Sequence, residues 1–316
     1  MVTNKIGWIS SLRGLAILAV VFGHMATPWS RYIYAWHMPL VFFISGYLIK
    51  DFDWKKSVRI DGKYVVKIMI VFGLLAVLME IVKRFLFPQV NFAVNNFSLG
   101  KELLNMFWWV DEGSMVSYGL VLWFLPAWFW GKILIKYLIN TTNWWIATLL
   151  SLGAWFYLAN NVFRIPLGID KGLFISVWMI LGVIYKKYQK YFVFKYIGIV
   201  LLIFILSVRS LPIINLGIKM ADPLILATVY PLVILLFLVG LFEKIEVWVR
   251  WLEWWGDRSI WVYLIHMYVN NVTYLLRWGQ FGWVIQFGLS VIILYLLLKL
   301  IDYVKTTRYT NLIDWV

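Results

Sequence analysis

The sequence predicts an all-α fold, a polytopic transmembrane helical bundle, on three observations. Of its 316 residues, 63% are hydrophobic and only 14% are charged. A soluble domain of that size would have too few polar residues to cover its surface, whereas lipid removes the requirement. Apolar runs of roughly 15 to 22 residues recur along the chain, and a helix needs about 20 to cross the hydrocarbon core. These runs are long and lack strict alternation, so helices rather than a closed barrel satisfy the backbone in lipid.

Ten spans are expected, in a single transmembrane domain covering residues 1–316. The first, 8–27, carries Arg13 and ends in His24-Met25-Ala26-Thr27-Pro28, which lacks the small-residue cleavage site of a signal peptide. A short outer loop leads to the second, 33–50, which runs back inward. The third, 64–82, overlaps the end of the basic cluster Lys55, Lys56, Arg59, Lys63, Lys67 and is followed by the pair Lys83-Arg84. The longest connection, 83–117, contains Phe107-Trp108-Trp109-Val110, a stretch suited to a short interfacial helix. Then come 118–139, 144–162, the short run 171–186, 191–208, 223–242, 258–278 and 281–301. The 21 Trp and 18 Tyr suit belts at the two membrane–water interfaces.

The net charge of +14 is scattered in short clusters between apolar runs. That is the pattern of loops facing an anionic cytoplasmic leaflet rather than nucleic acid. With the N-terminus inside, 19 Lys and Arg fall on inner segments and 9 on outer ones, so both termini are expected in the cytoplasm. Cys is absent, which excludes a disulfide, a thiolate nucleophile and a Cys-ligated metal.

Charge in the membrane is costly and usually faces the bundle interior, so the intramembrane polar residues are the informative ones. They are Arg13, His24, His37, Glu80 and His266, and all three histidines of the chain are among them. Arg13 and His24 are eleven residues apart, within roughly 20° of three full helical turns and about 16 Å along the axis. They share one stripe of the first helix. Arg13 could snorkel to the inner headgroups and His24 could be a packed interfacial residue; the shared stripe also fits a polar channel. His37 is expected at the depth of His24. Two histidines without a spaced third ligand are poor metal chelators, so acid–base work is the better reading and no metal is expected. Glu80 is a candidate partner for them, or an ordinary pair with Lys83 or Arg84. His266 is expected to hydrogen-bond between helices. The basic cluster either anchors the cytoplasmic side or binds the phosphates of an anionic donor.

These residues fall in motifs that resemble the membrane acyltransferase-3 family. Ser10-Ser11-Leu12-Arg13-Gly14-Leu15 with Val20-Val21-Phe22-Gly23-His24 is similar to the family's opening Arg-Gly and His. The run from His37-Met38-Pro39 to Gly46-Tyr47-Leu48 resembles its second-helix signature. Leu122-Trp123-Phe124-Leu125-Pro126-Ala127 resembles its fourth-helix motif, and Gly256-Asp257-Arg258 through Tyr263-Leu264-Ile265-His266 its penultimate-helix motif. The resemblance covers about residues 8–301. It implies a ten-helix bundle in a bacterial plasma membrane that moves an acyl group, usually acetyl, from acetyl-CoA inside the cell to a hydroxyl of a cell-surface or exported polysaccharide. It implies His24 as the central catalytic residue and Arg13 in donor handling. Many members carry Arg-x-x-Arg after the second helix; here Lys56-Ser57-Val58-Arg59, or the looser Lys63 and Lys67, stand in its place.

The expected mechanism is direct transfer, with His24 as general base and His37 or a backbone N–H stabilising the oxyanion. Arg13, Arg59, Lys63 and Lys67 would hold the donor, with Trp123 and His266 on the substrate side. A covalent acyl-His intermediate stays open. The rival reading is a transporter exporting a polysaccharide or small anion along the same stripe. A purely structural scaffold would not need Arg13 in lipid.

Overall fold

The computed structural model describes residues 7–25, 27–86, 97–115, 117–189, 211–244, 249–276, 279 and 281–306. Its helices are α1 (Gly7–Gly23), α2 (Ser30–Tyr34), α3 (His37–Tyr47), α4 (Trp54–Leu86), α5 (Leu99–Leu103), α6 (Phe124–Thr141), α7 (Trp144–Leu158), α8 (Ile169–Tyr188), α9 (Leu224–Lys244), α10 (Arg250–Asp257), α11 (Ser259–Tyr274) and α12 (Gly282–Thr306). Two three-residue strands, β1 (Ile213–Asn215) and β2 (Met220–Asp222), pair as a small hairpin. Among the described residues, five helical stretches are long and apolar enough to cross a membrane: Trp54–Phe85, Tyr118–Thr141, Pro166–Tyr188, Leu224–Glu243 and Gly282–Val304. The apolar helices α1 and α7 are shorter. The span expected at 191–208 lies outside the described residues.

Two expectations change in detail. The second span is not one helix over 33–50: α2 ends at Tyr34, and α3 begins at His37 and has only 11 residues. Pro39 is tolerated in the first turn of α3, where its missing N–H has no helical partner to lose. The third span is longer than 64–82. The helix α4 has 33 residues, about 50 Å, well beyond a hydrocarbon core of about 30 Å. Lys55, Lys56, Arg59 and Lys63 therefore stand on its first turns rather than on a loop. Its remaining turns expose Val66, Ile70, Leu74, Leu78, Met79 and Phe85, a surface suited to lipid.

The chain divides into two compact units, Met1–Val41 with Val193–Ile213 and Ile225–Val316, and Phe42–Phe192 with Ile214–Leu224. In the first, α1 lies backbone to backbone against α10. A methyl on Gly14 would collide with the Leu252 carbonyl, and one on Gly256 with that of Ser10. Small residues permit such approach where lipid offers no hydrophobic drive between helices. Polar bonds add to it. Asn270 Nδ2 donates to the Val21 carbonyl at 2.9 Å, Gln286 Nε2 donates to the Asn270 carbonyl at 3.0 Å, and the Thr273 and Ser290 hydroxyls meet at 2.7 Å. In the second unit the same device seats α8: Gly172 lies against Trp130 and Gly131, and Gly182 against the Phe43 carbonyl. Trp155 of α7 stacks on Phe174 of α8 with ring centroids 4.3 Å apart.

The stretch 107–110, expected as a short helix, is helical only as far as Trp109: from α5 the chain widens into a π-helical turn, Leu104–Trp109, which stops at Val110 in the left-handed region (φ 51°).

Candidate active site

Histidines gather in the first unit. The helix α1 ends at Gly23, but the His24 N–H still bonds the Val20 carbonyl at 3.2 Å, so His24 keeps the register of the helix. Its ring lies 4.9 Å from that of His266 on α11 and 5.5 Å from Tyr34 on α2. Tyr34 in turn meets the ring of His37 edge-on at 5.1 Å. His24 and His37 therefore lie in one group, connected through Tyr34.

Each ring is fixed in the same way. Nδ1 donates to a carbonyl of the preceding turn: His24 to Val20 at 2.9 Å, His37 to Ile33 at 2.7 Å, His266 to Tyr263 at 2.7 Å. A carbonyl only accepts, so Nδ1 carries the proton and Nε2 of the neutral ring is left as an acceptor. Nε2 of His37 and of His266 is buried and has no hydrogen-bond partner among the described residues. His37 and His266 are almost wholly enclosed, whereas His24 is partly exposed. The interhelical hydrogen bond expected of His266 is made one turn later by Asn270, because the His266 donor is spent on its own helix. For the same reason a neutral His37 has no N–H to offer an oxyanion; it could donate only as an imidazolium.

Arg13 lies on the same side of α1 as His24. Its guanidinium donates to the Ser259 hydroxyl at the start of α11 at 3.1 Å, and Asp257 lies within its electrostatic reach. The stripe read from residue spacing thus faces one helix, α11, from Ser259 to His266.

The other expected site residues belong to the second unit. Glu80 is buried and ion-paired with Lys83 and, at 2.8 Å, with Arg84, the local pairing that was the alternative to a histidine partner. Lys56, Arg59, Lys63 and Lys67 recur at three- and four-residue steps along α4 and so form one stripe. Arg59 and Lys63 are exposed and make no ion pair among the described residues, while Lys132 and Lys136 are held by Asp61 at 2.8 Å and Asp51 at 2.7 Å. Trp123 is buried, its ring 6.2 Å from Phe42. Among the described residues no group of three His, Cys, Asp or Glu is arranged to hold a metal.

Sequence reasoning missed a second polar set. Lys219 pairs with Asp170 at 2.7 Å and donates to the Phe163 carbonyl. Half-exposed Arg164 pairs with Asp111 at 2.8 Å, which also accepts from the Ser114 hydroxyl. Asn215 donates to Glu112 at 3.5 Å. Burial pushes the Glu112 carboxyl up to about 7; Asp111 adds to the rise, and Asn215 and Lys171 oppose it. These residues come from three connections and the first turn of α8, distant in sequence, so no spacing rule could have joined them. The available signal was several charges close to the ends of apolar runs, which read equally well as ordinary loop charge.

An acyltransferase-domain family model, acyltransferase-3, matches residues 6–300. No curated protein and no solved structure matches the chain. The family match spans nearly the whole sequence and coincides with helices long and apolar enough to cross a membrane, and the chain accordingly belongs to the acyltransferase-3 family of membrane acyltransferases.

Proposed function

We propose that the protein is an O-acyltransferase of a bacterial plasma membrane, carrying acetyl from acetyl-CoA on the cytoplasmic side to a hydroxyl of a cell-surface or exported polysaccharide. The observation that carries this reading is His24: a partly exposed ring with its tautomer fixed by Val20, on the stripe that also bears Arg13. Nε2 of His24 takes the proton of the acceptor hydroxyl as its oxygen attacks the thioester carbonyl. The carbon–sulfur bond breaks, and the leaving thiolate takes that proton back. His37 and His266 flank the base and order its surroundings. Arg13 holds the donor's arm about 16 Å from His24 along α1, and the cations Arg59, Lys63 and Lys67 hold its phosphates. Trp123 stands on the acceptor side. Glu80, engaged by Lys83 and Arg84, orders the end of α4.

Ten spans with cytoplasmic termini are part of the proposal. The parallel run of α1 and α11, Arg13 beside Ser259 at one end and His24 beside His266 at the other, supports it, since first and ninth spans run the same way. Labelling of a cysteine placed at Ser98 in the otherwise Cys-free chain checks it: label should enter from outside, and entry from the cytoplasm alone reverses the orientation. The function is tested by O-acyl content of the envelope glycan, per unit of membrane-inserted protein, in cells with the intact gene and with His24→Ala. Loss of acyl groups is expected. Unchanged acyl content with mislocalised glycan would favour the transporter.

A further inference from the structure

The buried polar set of the second unit has unused hydrogen-bonding capacity. Lys171 is 3% exposed, and its ammonium makes no hydrogen bond or ion pair among the described residues, although Asp170, Asp111, Lys219 and Glu112 all act on it electrostatically. Asp170 is fully buried; one carboxylate oxygen meets Lys219, and Oδ1 has no hydrogen-bond partner. Oε2 of Glu112 is likewise buried and unpartnered. A methyl on Gly217 would strike that carboxylate oxygen and come within 3.0 Å of the Trp123 indole, so Glu112 and Trp123 both lie against Gly217.

The set opposes the carboxylates Asp111 and Asp170 and the partly protonated Glu112 carboxyl, pushed up to about 7 by burial, to the cations Arg164, Lys171 and Lys219. An anion brought here still meets two carboxylates, and a cation meets three basic groups. Two unpartnered carboxyl oxygens beside one unpaired ammonium match a group that both donates and accepts, as a hydroxyl does. Leaving buried polar groups unsatisfied costs about 1–3 kcal/mol each, more when charged. The connections are also held in unusual conformations: Val110, Asn160, Leu167 and Lys219 are the non-glycine residues in the left-handed region among those described, and every one flanks or belongs to this set.

We propose that this set is a carbohydrate subsite: Glu112, Asp170 and Lys171 bind hydroxyls of a neutral, polyhydroxylated ligand, and Trp123 forms its apolar wall. The assignment rests on the acyl-transfer reading only in identifying that ligand as the acceptor. The test uses the full chain in lipid nanodiscs. The probes are neutral tetrasaccharides of glucose, galactose and mannose, neutral oligosaccharides cut from the host's own envelope polysaccharide, an anionic tetragalacturonate and a cationic chitosan tetramer. At least one neutral probe should bind more tightly than both charged ones. Glu112→Gln and Lys171→Met should each weaken it about tenfold or more, with donor KM unchanged. Trp123→Phe, which keeps the fold's aromatic packing, carries the same expectation should Lys171→Met fail to accumulate. Binding of no neutral probe, tightest binding of a charged probe, or wild-type affinity in the variants would overturn the proposal and leave the set as a water-filled structural network. Neutral-probe binding that is lost in the variants, with no acyl transfer by the wild type, would keep the subsite and remove the acyltransferase assignment.

Discussion

The histidine group of the first unit and the charged set of the second are both buried and polar, yet they are held in opposite ways. Each histidine is tied to its own helix by a bond to the preceding turn, and the rings meet through aromatic contacts of 4.9 to 5.5 Å. Among the described residues none of the three histidines is ion-paired, and Nε2 of His37 and of His266 is left without a hydrogen-bond partner. The charged set is tied to itself: Lys219 to Asp170 and Arg164 to Asp111, across connections far apart in sequence. A proton-transfer group needs an unoccupied lone pair and a fixed orientation, which a local bond supplies. A charged recognition surface needs its members neutralised by one another, because an unpaired buried charge is costly. On the proposed function, this is the difference expected between a reacting group and a holding group.

The largest expected effect breaks the first region. His24→Ala should lower acyl transfer by about 10²–10⁴-fold, the usual contribution of a general base, while the protein inserts at normal abundance. His37→Ala and His266→Ala should cost less activity, since both rings are enclosed. Activity per inserted molecule, measured for the three side by side, checks the order; equal losses would make the group one packed unit with no distinct base.

Breaking the second region should act on folding first. Asp170→Asn or Lys219→Met alone leaves a buried charge without its partner, a loss of about 3–5 kcal/mol. The double variant should lose less than the two singles together. Denaturation in detergent measures all three, and additive losses would mean that the 2.7 Å pair is not coupled.

Glu112 sharpens the contrast through pH. Its folded carboxyl titrates near 7, against an ordinary value of 4.5. The native state therefore keeps a proton that the unfolded chain has already released, and the stabilisation is complete below the unfolded value and lost as pH rises through about 7. The melting temperature of the wild type should fall between pH 5 and 8 more than that of Glu112→Gln. Parallel curves would show that Glu112 is not buried as an acid.

The smallest effect belongs to a bond that supports the histidine group without touching it. Asn270→Leu removes the donor to the Val21 carbonyl, and interhelical bonds of this kind average about 0.6 kcal/mol in lipid. A shift in stability of that order is expected, with the acyl-transfer rate per folded molecule nearly unchanged.

By itself the sequence determined the solvent and the helical class. Apolar runs of membrane length leave no other way to satisfy a backbone in lipid. It also determined the stripe joining Arg13 and His24, because two residues eleven apart on one helix share a face whatever the helix packs against. Packing alone decided what that stripe faces: Ser259 and His266 are more than two hundred positions away, and only the contact of α1 with α11 brings them to it. Tertiary structure also decided that Glu80 would stay with its near neighbours Lys83 and Arg84, that the basic cluster would stand on a helix of 33 residues, and that Asn270 rather than His266 would bridge helices. It alone assembled Asp111, Glu112, Arg164, Asp170, Lys171 and Lys219. Helical periodicity relates residues within one element; charges contributed by separate connections share no period, and their meeting depends on how the helices between them pack.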